Sequence, residues 1–262
     1  MKGRRSTTGL LLGLAISLAA QADEVRLVTG DDYAPLTSRS QSGAGLLTEV
    51  VRAAFAQSGL QASLAWQPWN RGYRMTLEGN YDATFPYIRA ARREKDFLYS
   101  APLYLSEQHL FSRAGEPVEP GDLARMSGRR LCQPLGWQLP APVQALVSRG
   151  VLERHSPPGL GECAQLLLLG RDDLFLADRR LGEFALHSTG ASPARFHVSS
   201  AVVGRETMHL IVPRSQPGAE ALIKRFDSGL QALRTSGAYQ RLIDSFASAE
   251  PDGSGPLASD TR

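Results

Sequence analysis

Apolar positions along this chain follow strand spacing and helix spacing in turn. Residues 25–29, VRLVT, predict a short strand, and six apolar positions over 46–55 recur at helical spacing and predict a helix with one buried stripe. A strand is predicted at 62–66, a short helix over 71–77 and a third strand at 81–85. Strands that alternate with helices in this way are typical of a mostly parallel sheet with helices packed on it.

A second series of the same kind begins near residue 129. It predicts a strand, two helices and a buried strand, in that order, at 130–133, 143–147, 161–169 and 174–177. An apolar strand follows from 208, and two helices have stripes over 222–233 and 239–246. Residues 249–262 are rich in Gly, Pro, Ser and Asp, so we expect disorder there. Two α/β lobes fit this order better than one continuous sheet.

The first 22 residues have the pattern of an export signal. A basic start is followed by an apolar core over 10–18, which is too short to span a bilayer, and by the small-x-small sequence AQA at 20–22. The alternative is a buried N-terminal helix. An export signal predicts a mature chain that begins at Asp23 and works in the periplasm.

The export signal changes the meaning of the net charge. The chain has 262 residues, 29 Lys and Arg, 26 Asp and Glu, and a net charge of +3, which would favour nucleic acid or an anionic membrane as partners. The excess is Lys2, Arg4 and Arg5, which all lie in the signal. The mature chain would be neutral overall, so its charge favours neither partner.

The two cysteines, Cys132 and Cys163, have two interpretations. In an oxidising compartment they can form a disulfide, and otherwise they are buried free thiols, because spacing along the chain does not say how close they lie. The chain has no CxxC motif, and its five histidines lack the spacing of metal ligands. We therefore expect no metal and no cofactor.

The run EGNYDATFPYIRAARREKDFLYSAPLY, at 78–104, resembles a characteristic stretch of the periplasmic solute-binding proteins of the polar amino-acid type, the ligand receptors of ABC importers. GLLTEVVRAAFAQSG and GAYQRLIDSF are similar to the first and last helices of that family. The resemblance covers about residues 24–247.

This resemblance implies an α/β, two-lobe clamshell of type II, in which each lobe is a mostly parallel sheet flanked by helices. Lobe I would comprise 23–109 and 205–248, and lobe II would comprise 110–204. Two hinge strands, near 109–112 and 200–204, would join them, and the ligand would bind in the cleft between the lobes.

Two charged residues stand where the family holds its ligand. Arg92 matches the arginine that grips the ligand carboxylate, a contact that a guanidinium can make with two parallel donors. The alternative is a solvated surface run, and Arg89 departs from the Thr or Ser usual in amino-acid binders. Asp178 matches the aspartate that pairs with the ligand ammonium, and its alternative role is that of a helix N-cap.

Several aromatic residues match positions that border the cleft in this family. Tyr33, Trp69 and Tyr87 would lie on lobe I, and Trp137 would lie on lobe II beside Gly136, whose backbone would approach the ligand. Aromatic rings there could stack on a ligand side chain or offer it a cation–π face. Ordinary packing is the alternative for each of them.

These residues imply that the protein binds a small polar solute for delivery to an inner-membrane ABC permease. The favoured solute is an amino acid or a similar zwitterion. We expect a monomer that is not an enzyme. One alternative is a ligand-binding protein that signals through another membrane protein. Another is an enzyme like cyclohexadienyl dehydratase on the same fold, although no carboxylate pair or His-centred constellation requires catalysis.

Overall fold

A computed structural model describes residues 24–31 and 33–248. The strands are β1 Glu24–Thr29, β2 Gln61–Trp66, β3 Ala83–Ile88, β4 Phe97–Tyr99, β5 Tyr104–Arg113, β6 Arg129–Cys132, β7 Leu152–His155, β8 Leu174–Asp178, β9 Phe196–Val198 and β10 Gly204–Pro213. The helices are α1 Leu46–Gln57, α2 Trp69–Leu77, α3 Ala91–Glu94, α4 Ala141–Ser148, α5 Leu160–Leu168, α6 Arg179–His187, α7 Ala219–Thr235 and α8 Ala238–Ser248. The predicted export signal and C-terminal tail lie outside the described residues.

The strands form one mixed sheet in the order β2-β1-β3-β10-β5-β8-β6-β7, and β4 and β9 pair with β10 and β5. At one end β2, β1 and β3 are parallel, and at the other end β8, β6 and β7 are parallel. Two parallel groups therefore lie in one hydrogen-bonded sheet.

The long strands β5 and β10 join the two parallel groups. They pair antiparallel with each other from Met208 opposite Tyr104 to Gly204 opposite Gln108. β10 continues into pairing with β3, and β5 continues into pairing with β8. These two strands therefore carry the hydrogen bonding from one parallel group to the other. Two parallel groups joined by two long strands agree with the predicted α/β organisation.

The helix predicted at 46–55 packs as its stripe requires. All six apolar residues of the stripe are buried in α1, and Phe55 contacts Phe226 of α7 with ring centroids 4.8 Å apart. The two helices approach closely at Gly229, where an added Cβ would lie 1.9 Å from the carbonyl oxygen of Ala54. This contact fixes α7 against the first parallel group. None of the described helices has the length and apolar character to cross a membrane.

Cys132 and Cys163 form a disulfide in the structure. It joins the end of β6 to α5, with an S–S distance of 2.04 Å and a Cα–Cα distance of 5.5 Å, and both residues are fully buried. Covalent closure of the loop between them restricts the unfolded chain and stabilises the fold by about 3 kcal/mol.

The segment that leads into β10 is held by one carboxylate. Glu119 accepts hydrogen bonds from the amides of Ser200 and Ala201, from the Ser200 hydroxyl and from His197 Nε2. The backbone bond from Ser200 is the largest cause that lowers the pKa of Glu119 below its ordinary value.

We predict that Gly229→Ala lowers the melting temperature by about 3–10 °C, because overpacking a closed helix contact costs about 1–3 kcal/mol. Gly161→Ala is the matched control, since Gly161 lies inside α5 with open space around its Cβ position, and there alanine leaves the stability unchanged or raises it. Thermal unfolding of both variants checks this. Equal melting temperatures for the two would contradict the close packing.

We predict that Glu119→Gln lowers the melting temperature at neutral pH and that the difference from wild type narrows on acidification. A carboxyl with a lowered folded pKa gives stability that is present above its ordinary value of 4.5 and is lost as the pH falls through the folded value. Melting curves at several pH values measure the difference. Glu153→Gln, at an exposed position, is the control. A difference in melting temperature between wild type and Glu119→Gln that stays constant down to low pH would contradict the role of Glu119.

Candidate functional site

Four of the predicted aromatic residues lie in one continuous row. Trp137 contacts Tyr33 with ring centroids 4.9 Å apart, Tyr33 contacts Trp69 at 5.9 Å, and Trp69 contacts Tyr87 at 6.0 Å. Each pair is nearly perpendicular, the edge-to-face geometry that aromatic quadrupoles favour. We call these four residues the aromatic row.

The four residues of the aromatic row come from four separate segments of the chain. Tyr33 lies in the loop after β1, Trp69 is the first residue of α2, Tyr87 belongs to β3, and Trp137 lies in the loop after β6. Two surface depressions of about 550 and 450 Å³ lie elsewhere, beside Gln216, and contain none of the four. The rings are packed against one another, so the row joins the two ends of the sheet.

The position of the Trp69 indole depends on Gly30. A Cβ at Gly30 would lie 2.2 Å from the Trp69 indole, so the ring lies directly on the backbone at the end of β1. A glycine there permits this close approach, which any side chain would prevent.

Arg93 lies at the Tyr87 end of the aromatic row. Its guanidinium carbon lies 5.0 Å from the Tyr87 ring centroid, and Nη1 donates to the Ile88 carbonyl at 3.1 Å. Arg93 is half-buried, whereas Arg92 is exposed. Successive residues of a helix point about 100° apart, so only one of two neighbours in α3 can turn back onto β3. The structure thus places Arg93, and not Arg92, against the row.

Arg89 packs on a ring outside the aromatic row. It pairs with Glu94 at 3.2 Å, and its guanidinium lies 5.0 Å from the ring centroid of Tyr99. Arg89 is exposed, as expected for the surface alternative.

Asp178, at the end of β8, is buried with 3% of its surface exposed. Its carboxylate accepts from the Arg180 amide at 2.9 Å, the Glu107 amide at 3.2 Å and the Tyr104 hydroxyl at 3.2 Å. The first of these bonds makes Asp178 the N-cap of α6, the alternative role considered above. Burial is the largest cause that raises the pKa of Asp178.

The charge of Asp178 acts on the aromatic row. Burial and then the negative charge of Asp178 raise the pKa of the Tyr33 hydroxyl far above its usual value. Burial raises the pKa of Tyr87 to about 12. Both tyrosines are therefore neutral at ordinary pH, and neither adds a charge to the aromatic row.

Gly136 lies in the turn that presents Trp137. Its φ of 84° is a left-handed conformation that glycine adopts without strain. Gly136 is exposed and Trp137 is half-buried. The predicted contact of the Gly136 backbone with a ligand stays a prediction.

Sequence reasoning missed two residues of this region, Tyr73 and Tyr104. Tyr73 contacts Tyr87 at 5.8 Å and Phe97 at 4.9 Å and so extends the row, and Tyr104 holds Asp178. A signal existed for Tyr73, which follows Trp69 by four positions and so shares its face of α2. Tyr104 carried no such signal, because its partner is distant in the sequence.

The described residues contain one grouping of potential metal ligands, Cys132, His155 and Asp172. The cysteine sulfur is used in the disulfide, and His155 Nδ1 bonds Asp172 at 2.8 Å.

The aromatic row has a cation, Arg93, at its Tyr87 end and a buried carboxylate, Asp178, beside Tyr33. This arrangement suits a small molecule that carries both charges.

The sequence pattern of one protein family matches residues 25–249, and that family is described as bacterial extracellular solute-binding proteins, family 3. No curated protein sequence matches the chain.

Several solved structures have the same fold, with low sequence identity. A histidine kinase sensor domain with similarity to periplasmic binding proteins has a TM-score of 0.71 and 20% identity, and the alignment covers 87% of this chain and 98% of that one. An amino acid ABC transporter substrate-binding protein from Streptococcus pneumoniae, bound to L-arginine, has a TM-score of 0.69 and 14% identity over 85% and 94%. An ancestral amino-acid-binding protein, a precursor of cyclohexadienyl dehydratase, has a TM-score of 0.68 and 15% identity over 85% and 95%. At these identities the likeness shows the fold: the mixed α/β binding-protein fold of type II.

We predict that Gly30→Ala displaces the Trp69 indole and alters the near-ultraviolet circular dichroism of the protein, because the new Cβ occupies the space of the ring. Gly115→Ala serves as the control, since Gly115 has open space around its Cβ position. Unchanged tryptophan bands in Gly30→Ala would show that the indole does not depend on this glycine.

Proposed function

This chain belongs to family 3 of the bacterial extracellular solute-binding proteins, and we propose that it binds a small zwitterion, most of all an amino acid, between two lobes. Lobe I comprises 23–109 and 205–248, and lobe II comprises 110–204. The boundaries fall within β5 and at the start of β10, the strands that join the two parallel groups, and this placement supports a hinge there.

The observation that carries the proposal is the contact between Tyr33 and Trp137, which lie on opposite lobes. Residues that meet across a cleft are the residues that enclose a ligand when the cleft closes. The aromatic row supplies apolar ring faces, and the charged groups beside it supply orientation.

We assign the ligand carboxylate to Arg93 and the ligand ammonium to Asp178. Arg93 already lies on the row, and its guanidinium offers the planar pair of donors that a carboxylate accepts. Asp178 caps α6, but a carboxylate has about four acceptor positions, so a cap and an ammonium contact are compatible. Gly136, Arg89 and Arg92 have no support beyond the family resemblance.

Binding and closure are coupled in this proposal. Arg93 belongs to lobe I and Asp178 to lobe II, so one zwitterion reaches both charges only when the lobes are close. A ligand that interacts more strongly with the closed state shifts the population toward it.

We propose a periplasmic monomer, exported by the signal at 1–22, that delivers its ligand to an inner-membrane ABC permease and catalyses no reaction. The likeness to a transporter substrate-binding protein supports delivery, and the likeness to a histidine kinase sensor domain supports sensing as the second candidate. Deleting the gene and measuring uptake of the identified ligand separates them. Delivery predicts lost uptake, whereas sensing predicts that uptake is kept.

An enzyme like cyclohexadienyl dehydratase is the third candidate, since an ancestral precursor of that enzyme has the same fold. Incubation of the purified protein with prephenate or arogenate tests it. Turnover of either compound would replace the binding proposal with a catalytic one.

The first experiment is a melting-temperature screen of the mature protein against amino acids and small organic acids. A ligand present at about a hundred times its Kd is expected to raise the melting temperature by about 5–10 °C by mass action. If no compound of these classes raises it, the ligand class proposed above is wrong.

With the ligand of that screen, we predict that Arg93→Ala weakens binding at least about tenfold, because it removes a charge-assisted pair of hydrogen bonds. Arg92→Ala is the matched control, adjacent in the chain and of the same type, and it should change the Kd by less than about twofold. Isothermal titration calorimetry measures both. If Arg92→Ala gives the larger loss, the carboxylate belongs to Arg92.

We predict that Asp178→Asn also weakens binding at least about tenfold and leaves the protein folded, because the amide oxygen can still cap α6 but carries no charge. In the wild type, affinity should fall as the pH falls through the raised pKa of Asp178, while the Asn variant should show no such dependence. Asp96→Asn, at an exposed position, is the control. Wild-type affinity retained by Asp178→Asn would leave Asp178 with the capping role alone.

A further inference from the structure

We propose that Arg154 is the positioning residue of Trp137: it fixes the turn that presents the indole to Tyr33, and it thereby sets how tightly the cleft closes. The inference rests on the function proposed above. Arg154 belongs to β7, an edge strand of the sheet, and it is exposed. Its effect on a ligand would therefore pass through Trp137.

The guanidinium of Arg154 contacts both ends of the turn from Pro134 to Trp137. Nη2 donates to the Trp137 carbonyl at 3.0 Å and lies 3.5 Å from the Pro134 carbonyl. The turn is also closed from within, because the Trp137 amide donates to the Pro134 carbonyl at 3.1 Å. Arg154 thus acts on the two residues that define the turn.

The guanidinium is itself held in place. Arg154 Nε donates to the Ser156 hydroxyl at 2.9 Å, and the Arg154 backbone lies beside Leu131 in the parallel pairing of β7 with β6. A guanidinium is planar and directs its donors in fixed directions, so Nε can hold Ser156 while Nη2 holds the turn. A lysine has one ammonium and cannot keep both contacts in the same geometry.

Other contacts hold the beginning of the same loop. The backbone N–H of Gln133 donates to the His155 carbonyl at 2.9 Å, and the backbone N–H of Leu135 donates to the Pro157 carbonyl at 2.8 Å. The disulfide fixes Cys132 immediately before them. These contacts hold the loop where it leaves β6. Arg154 instead holds the backbone carbonyl of Trp137, the residue that carries the indole.

The consequence for binding follows from what Trp137 touches. Its ring meets Tyr33 across the proposed cleft, at a centroid distance of 4.9 Å and an angle of 79°. Edge-to-face pairs have a preferred arrangement, with ring centroids about 4.5–7 Å apart. Release of the Trp137 carbonyl would let the turn shift and weaken the contact that encloses the ligand.

The first test needs no ligand. Protein labelled with 5-fluorotryptophan gives 19F resonances that Trp→Phe variants assign to Trp66, Trp69 and Trp137. Arg154→Ala is expected to shift or broaden the Trp137 resonance and to leave the other two unchanged, and Arg154→Lys is expected to have a smaller effect. Arg149→Ala, an exposed arginine after α4, is the control. An unchanged Trp137 resonance in a folded Arg154→Ala protein would overturn the proposal.

The second test uses the amino acid identified by the melting screen. Arg154→Ala is expected to raise its Kd about fivefold, and to have no further effect once Trp137 is alanine, because the two act as a unit. An equal loss in the Trp137→Ala background would mean that Arg154 acts otherwise, and it would overturn the proposal. Failure of the screen would overturn the function proposed above, while the 19F spectra would still decide whether Arg154 positions Trp137.

Discussion

The antiparallel pairing of β5 with β10 is the constraint on which the rest of this structure depends. Parallel strands need crossover connections, so each parallel group forms from its own βα segments. β5 and β10 are long enough to pair with each other and then with a neighbour in each group. Because β5 supplies Tyr104 and pairs with β8 as far as Asp178, the same strands that connect the groups also hold the buried carboxylate of the site.

Much of the fold was predictable where one helix or strand carries its own signal. The stripe of α1 and the buried run before Asp178 were predicted at their observed positions, because a regular apolar period depends on local spacing alone. The strands β4, β7 and β9 were missed. β4 and β9 have three residues, too few to show a period, and β7, with the sequence LERH, has one apolar residue in four. β3 begins two residues later than predicted and continues through Pro86, a residue that usually marks the end of a strand.

In the candidate site, too, only features with a local signal in the sequence could be predicted. The four aromatic residues of the row were predicted individually from the family resemblance, but their contacts depend on the sheet order, which brings loops from both ends together. The choice between Arg92 and Arg93 depends on which way one turn of α3 faces, and a run of arginines gives no local signal for that. Residues whose role comes from a distant partner, such as Tyr104, need the fold before they can be recognised.

Asp178 has a structural role in the fold and, in the binding proposal, a second role toward the ligand. A buried carboxylate is costly unless donors surround it, and the amides of α6 and β5 together with Tyr104 provide such donors. The same donors fix the direction of the carboxylate, which in the binding proposal lowers the cost of ordering it around a ligand cation. A helix start at the end of a buried strand therefore supplies a preorganised anion beside the aromatic row. Because the same donors satisfy and orient the carboxylate, a residue with a complete structural role is also the one that we propose for the ammonium of a ligand.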